Sequence, residues 1–194
     1  MKRTLLFLIV LACGIKTYAQ IPTDGLMMGP QTLCTGFMYT HDQWKRYWEG
    51  ALNRDNQNIG TLTTTSVMWY GVYGLNPRVN LMASLPYVKT EASMGTLHGM
   101  VGIQDLMLAA KYKAIQAEAG PATFRMFGVL QFSTPMTNYS PDFLPLSIGL
   151  ASTNLTGRVN LNYSMDQKGP YINTSAAYTM RSNVSLDRPA YFTD

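Results

Sequence analysis

Five separate segments of this chain divide by alternate residues into a mainly apolar and a mainly polar side, and every charge in them falls on the polar side. In GIQDLMLAAKYK, residues 102–113, Leu106, Leu108, Ala110 and Tyr112 share one parity, while Asp105, Met107, Ala109, Lys111 and Lys113 share the other. A period of two sends successive side chains to opposite faces of a β-strand, so this segment has one greasy face and one wet face. VNLMASLPYV, FRMFGVLQFS, LTGRVNLNYS and YINTSAAYTMRSN divide the same way, with Arg125, Arg158 and Arg181 on the polar side. LTTTSVMWYGVYG, residues 62–74, has high β-propensity but mixed faces, and an irregular first strand is expected within residues 31–48.

No run of 18 apolar residues follows the N-terminus, so no membrane-spanning helix is expected. The N-terminus itself reads as an export signal. A basic MKR precedes an apolar TLLFLIVLACGI of about a dozen residues and a polar KTYAQ, with cleavage expected beside Ala19, so residues 1–20 form the signal segment. An alternative is lipoprotein processing at Cys13, because Val10-Leu11-Ala12-Cys13 loosely resembles a lipobox. Cleavage removes Lys2, Arg3 and Lys16 from a chain of 15 basic and 11 acidic residues, leaving a mature charge near +1. With no Lys/Arg-rich run either, nucleic-acid binding is not expected. Only Cys34 remains after cleavage, so no intrachain disulfide is available.

Charged residues make up 13% of the chain, about half the share of roughly 25% in ordinary globular proteins. An export signal, few charges and hydrophobicity spread over alternate residues together point to an all-β fold, an antiparallel transmembrane β-barrel of the outer membrane over residues 21–194. The joins support it: short ones at residues 76–78, 114–122 and 165–170 alternate with long ones at 49–59, 89–101 and 135–153. Such barrels have tight turns on the periplasmic side and long loops outside. Tyr73, Tyr112, Phe124, Tyr163 and Tyr171 stand near the short joins, where an aromatic girdle would sit. About seven strands are visible, whereas bacterial single-chain barrels use an even number from eight upward. With AYFTD reading as loop, the sequence is expected to be the N-terminal part of a longer barrel.

GVYGLNPRVNLMASLPYV followed by GIQDLMLAAKYK resembles a paired motif, Y-G, then R/K-V/L-N-L, then P-Y, then G-I/L-G/Q-D-L/I. That pairing is found in outer-membrane transporters of the MetA-pathway-of-phenol-degradation type, related to the FadL-like transporters of fatty acids and hydrophobic compounds. The likeness covers residues 71–113, with FGVLQFSTP as weaker support, and the Y-A-Q signal ending is similar to those of exported Bacteroidetes proteins. It implies a barrel, passive uptake of a small hydrophobic or aromatic solute, and membrane lipid as the other partner. The family's proteins are typically longer, and the plug signature of the fatty-acid transporters is not visible in IPTDGLMMGPQ.

No Gly-x-Ser-x-Gly, P-loop or Cys-x-x-Cys motif is present, and His41 and His98 are the only histidines. The chain is therefore read as neither an enzyme nor a holder of metal or cofactor, although an outer-membrane hydrolase using His98 as base is a third possibility. Asp105, Lys111, Lys113, Arg125, Arg158 and Arg181 are the candidates for lining a lumen, either tuning passage or filling a narrow barrel with ion pairs. The stretch at 133–149 carries three prolines together with Phe143, Leu144 and Leu146. Those three are candidates for a hydrophobic constriction, or for packing on the rim. THDQWKRYWEG, with Trp44, Tyr47 and Trp48 among cations, reads as an upper aromatic girdle or a carbohydrate-contacting loop. A structural or adhesive surface barrel with a blocked lumen is the alternative to a transporter.

Overall fold

The computed structural model describes residues 20–165 and 169–187. Ten strands follow in order: β1 Leu33–Trp44, β2 Arg46–Glu49, β3 Leu52–Asp55, β4 Leu62–Asn76, β5 Val79–Ala92, β6 Val101–Ile103, β7 Asp105–Ala119, β8 Ala122–Pro135, β9 Asn154–Met165 and β10 Tyr171–Arg181. A single 3-10 turn, Pro141–Phe143, lies in the loop between β8 and β9. No helix among the described residues is long and apolar enough to cross a membrane. The protein is all-β. Its main sheet is an antiparallel meander in the order β1-β4-β5-β7-β8-β9-β10, with β6 added beside β5.

All seven segments read as strands lie in this sheet. The sheet is not closed: β1 and β10 each keep one unpaired edge among the described residues, so the expected barrel is reduced here to its antiparallel sheet. The signal segment 1–19, the terminal AYFTD and part of the last short join lie outside the described residues.

Three local expectations are corrected. The first strand ends at Trp44, and the following residues make a separate hairpin, β2–β3, closed by the ion pairs Arg46–Asp55 at 2.8 Å and Arg54–Glu49 at 2.6 Å. Asp55 stands at the surface, and the Arg46 guanidinium bonded to it holds its carboxyl below the ordinary range. Second, residues 114–119 are strand, not loop, leaving only Gly120 and Pro121 between β7 and β8. Ala114 is the extra residue of a bulge at Lys113/Ile115, which puts Ile115 opposite Met126 and keeps both off the face that carries Lys113. Third, GIQDLMLAAKYK is broken at Gln104 into β6 and β7. Opposite the break stands Pro86, which has no N–H to give; three residues, 104–106, face two on β5, and Gln104 N donates to the Pro86 carbonyl at 2.9 Å.

The distribution of burial is inverted. On β7, β8 and β9 the apolar parity is the bare one: Leu108 is 45% exposed, Leu130 58% and Leu161 40%. The polar parity is covered, with Asn80, Lys111 and Asn160 fully buried. We call the covered side the inner face and the bare side the outer face. Tyr73, Tyr112 and Tyr163 stand exposed on the outer face near the short turns.

Candidate functional site

Two segments cover the inner face. One is the loop between β8 and β9; the other is the stretch 20–32 that leads into β1. IPTDGLMMGPQ was not legible as a plug, yet it runs across the polar faces of β5, β7, β9 and β10. Its fixings are mostly single hydrogen bonds to the sheet's asparagines. The amides of Gln20 and Asn80 meet at 2.8 Å, Asn160 Nδ2 donates to the Pro22 carbonyl at 2.8 Å, and Asn173 Nδ2 to the Thr23 carbonyl at 2.6 Å.

The strongest fixing is ionic. Lys111 Nζ lies 2.6 Å from Asp24 Oδ1 and 2.7 Å from the Asp24 carbonyl, and 4.8 Å over the Phe127 ring. Its side chain is wholly buried and that of Asp24 only 19% exposed. Asp24 in turn accepts from the N–H groups of Ile21, at 2.6 Å, and Leu26, at 2.9 Å, which fixes the turn that brings it to the lysine. At Gly74 the segment approaches the sheet so closely that a Cβ there would sit 2.0 Å from the Gly29 carbonyl oxygen.

Under this segment the inner face changes character from one side of the sheet to the other. On β1, β4, β5 and β7 it bears Met38, Met68, Val72, Met82 and Met107, which with Tyr70, Ser84, Gln20, Ile21 and Pro22 line a cavity of about 280 Å³. Met82, Val72, Ala109 and Val129 form a buried cluster against which Met28 and Met107 pack. Methionine is unbranched and polarizable, and it adapts to ligands of irregular shape. The sequence does hold a signal for this cavity: Met82 and Met107 sit on the parity read as polar, in a chain with 13 methionines.

On β8, β9 and β10 the same face is cationic. Arg125 donates to Ser164 at 3.2 Å and Asn162 at 3.4 Å, Arg158 to Ser175 at 3.2 Å, and Arg181 to Asn154 at 3.1 Å. None of the three is ion-paired among the described residues. Two buried polar atoms there, Arg158 Nε and Asn160 Oδ1, have no hydrogen-bond partner among the described residues. Of the six candidate lining residues, then, Lys111 is paired to the N-terminal segment, while Arg125, Arg158 and Arg181 share one strip whose hydrogen-bond partners are neutral. Lys113 stands apart beside the bulge, bonded to Gln116 at 3.0 Å.

Asp105, the sixth, belongs to the far end, under the loop of residues 136–153. It accepts from the Tyr139 hydroxyl, which itself accepts from Ala151 N at 3.1 Å. Burial, and then the Asp105 carboxylate, push the Tyr139 phenol above the ordinary tyrosine range. Leu146 is fully buried against Ile59 and Leu62, and Ile148 packs on Val88 and Tyr139. Leu146 thus anchors the loop on the rim, while Phe143 and Leu144 stay exposed, so the three do not form one constriction.

Neither histidine joins a cluster: His41 Nδ1 lies 3.1 Å from Thr65 Oγ1 and His98 is exposed. Among the described residues no three His, Cys, Asp or Glu side chains converge as a metal site would require. No family model, curated protein or solved structure matches the chain.

Proposed function

We propose that this sheet is part of an outer-membrane β-barrel that admits a small hydrophobic solute, and that the methionine-lined cavity under residues 20–32 is where the solute is held. The observation that carries the reading is the inverted burial. In water, a sheet that bares Leu108, Leu130, Phe132, Leu161 and Tyr178 while covering Asn80, Lys111 and Asn160 loses on both faces. In a bilayer the same arrangement is favourable: the bare apolar face meets lipid and the polar face lines an interior. The likeness of residues 71–113 to transporters of hydrophobic compounds points the same way. The arginine strip of β8, β9 and β10 would favour solutes with an anionic or acceptor end.

A bilayer also demands that both sheet edges be paired, since each unsatisfied backbone group costs several kcal/mol there. Six antiparallel steps separate β1 from β10, so the two strands run the same way. Joining them directly would give a parallel pair. Two copies in the same membrane orientation would meet β10 to β1 and pair parallel again. All-antiparallel closure takes an odd number of further strands, which makes the total even.

A barrel with a blocked lumen is the second reading, and the buried Asp24–Lys111 pair is what favours it. Flux measurements separate the two. The full protein reconstituted in liposomes is expected to pass small aromatic carboxylates, and to pass them faster when residues 20–32 are deleted. A folded, heat-modifiable barrel that passes none, with or without that segment, would leave the structural reading standing. Recovery of the protein from the soluble periplasmic fraction would remove the membrane assignment itself.

A further inference from the structure

We propose that Arg125, Arg158 and Arg181 form a track along which small anions, oxyanions in particular, cross the inner face, a second path beside the methionine-lined cavity. The inference rests on the barrel reading of the sheet and goes beyond it, since it requires no hydrophobic solute.

Composition and register together set the track. β8, β9 and β10 contain no Asp, Glu or Lys, so their only charges are these three arginines, all on the inner parity. Arg125 stands opposite Asn162 of β9, Arg158 lies four residues back along that strand, and Arg181 stands opposite Asn154, four residues further back. The three lie on one diagonal, each step one strand across and four residues along, with neighbouring Cα positions about 14 Å apart. The diagonal runs from the short-turn end of the sheet, where Arg125 is close to the start of β8, to the long-loop end, where Arg181 pairs with the first residue of β9.

The charge is not neutralised within the sheet. Arg46, Arg54, Lys89 and Lys111 each hold a carboxylate within 2.8 Å, whereas the three track arginines bond only the neutral oxygens of Asn154, Asn162, Ser164 and Ser175. Those bonds use Nη1 of Arg125 and Arg158 and Nε of Arg181, and Arg158 Nε, though buried, has no acceptor among the described residues. A guanidinium with a free edge offers paired N–H donors at the spacing of carboxylate or phosphate oxygens. The N-terminal segment crosses the sheet at the level of Asn160 and Asn162, where Pro22 and Thr23 accept from Asn160 and Asn173 and Gly25 approaches Asn162 too closely for a Cβ. Arg158 and Arg181 are left on the loop side of that crossing.

Spacing decides whether three charges act as one path. At physiological ionic strength the Debye length is about 8 Å. The midpoint between neighbouring arginines is about 7 Å from each, so their fields overlap there. Two unit charges screened in this way enrich a monovalent anion about twofold and deplete a monovalent cation about twofold, an anion-to-cation preference of about fourfold. At about 1 M salt the Debye length falls to about 3 Å and the track breaks into separate sites.

Reversal potentials under a potassium chloride gradient test this, measured in planar bilayers on the full protein and on its variant lacking residues 20–32. The expected sign is that of an anion-selective pore, with chloride favoured about fourfold at physiological salt and the preference fading toward none at about 1 M. Arg158→Gln, which keeps a polar side chain but no charge, is expected to lose about half of the preference while heat-modifiable migration is unchanged. Arg78→Gln makes the same charge change in the exposed β4–β5 turn and is expected to leave the preference as it was. Equal shifts from both variants, or a preference indifferent to salt, would overturn the track. Inorganic phosphate is expected to slow the chloride current of the parent more than that of Arg158→Gln; a current indifferent to phosphate would overturn the oxyanion fit. A conducting pore with no preference for chloride would overturn the track and leave the barrel reading standing. A folded barrel that conducts no ion, with or without residues 20–32, would overturn both.

Discussion

Replacing Asp24 by Asn removes one charge from the only ion pair that ties residues 20–32 to the sheet among the described residues. Asn keeps the Oδ1 acceptor, and with it the Leu26 bond, and the side-chain volume, but the NH2 that replaces Oδ2 cannot accept from Ile21 N, so that turn bond is lost. The larger change is at Lys111. Its ammonium remains wholly buried, with the backbone carbonyl of residue 24 at 2.7 Å, the now neutral side-chain oxygen there and the Phe127 ring as its partners. Breaking a buried pair by removing one partner costs about 3–5 kcal/mol. Because the amide still accepts a bond, the lower end applies, about 3 kcal/mol. The neutral bonds from Asn80, Asn160 and Asn173 contribute only about 1 kcal/mol each and cannot make up the loss.

At about 1.4 kcal/mol per tenfold, the detached population of the segment should rise on the order of a hundredfold. Native-state hydrogen exchange of the full protein in micelles reads this at Gln31, whose N–H donates to the Gly74 carbonyl at 2.6 Å. The charge argument makes a second demand. In the double variant Asp24→Asn with Lys111→Met the buried cation is gone, so exchange should return most of the way to the parent rate. An effect of Asp24→Asn below about fivefold, or a double variant no better than the single one, would refute the account of the pair as the segment's anchor.

Three further outcomes follow from the same geometry. Gly74→Ala should expel residues 28–32, because its Cβ would meet the Gly29 carbonyl at 2.0 Å, whereas Gly128→Ala meets nothing within 4 Å and should be silent; limited proteolysis compares them. Met68→Trp, at a half-buried wall of the cavity of about 280 Å³, should cut liposome uptake of a small aromatic solute while heat-modifiable gel migration stays unchanged. Tyr139→Phe should loosen the loop of residues 136–153 by about 1–3 kcal/mol, through loss of its bonds to Asp105 and Ala151. Since the folded phenol titrates above the ordinary value, the stability it contributes is complete below about pH 10 and is lost as pH rises further; protease sensitivity of the loop should climb there in the parent and not in the variant.

The strands were legible because their signal is local. Leu155, Val159 and Leu161 against Thr156, Arg158 and Asn160 give both the strand and the side each residue faces, and no distant contact is needed to decide it. Residues 114–119 were misread because Ala, Gln and Glu have low β-propensity; their pairing with β8 holds them in the sheet, and the bulge at Ala114 shifts the parity that would have revealed them. The β2–β3 hairpin was hidden for a different reason: its closure rests on two ion pairs between residues nine and five apart in a polar stretch with no alternation.

The site was harder to read, since every fixing of residues 20–32 joins positions far apart in the chain. Asp24 finds Lys111, Pro22 finds Asn160, and Thr23 finds Asn173, and none of these pairings has a spacing that sequence periodicity could register. What the sequence did contain was a surplus: asparagines at 80, 160, 162 and 173 on the polar parity, more than cross-strand pairing consumes. A buried amide that does not bond along its own sheet needs a partner from outside it. In a sheet whose polar side faces inward, that partner has to be either water, a solute, or a stretch of the chain itself. Here Asn80, Asn160 and Asn173 bond the chain, while Arg158 Nε and Asn160 Oδ1 have no partner among the described residues. The inner face is thus satisfied in part by its own N-terminal segment, and that segment is what the proposed solute path would have to displace.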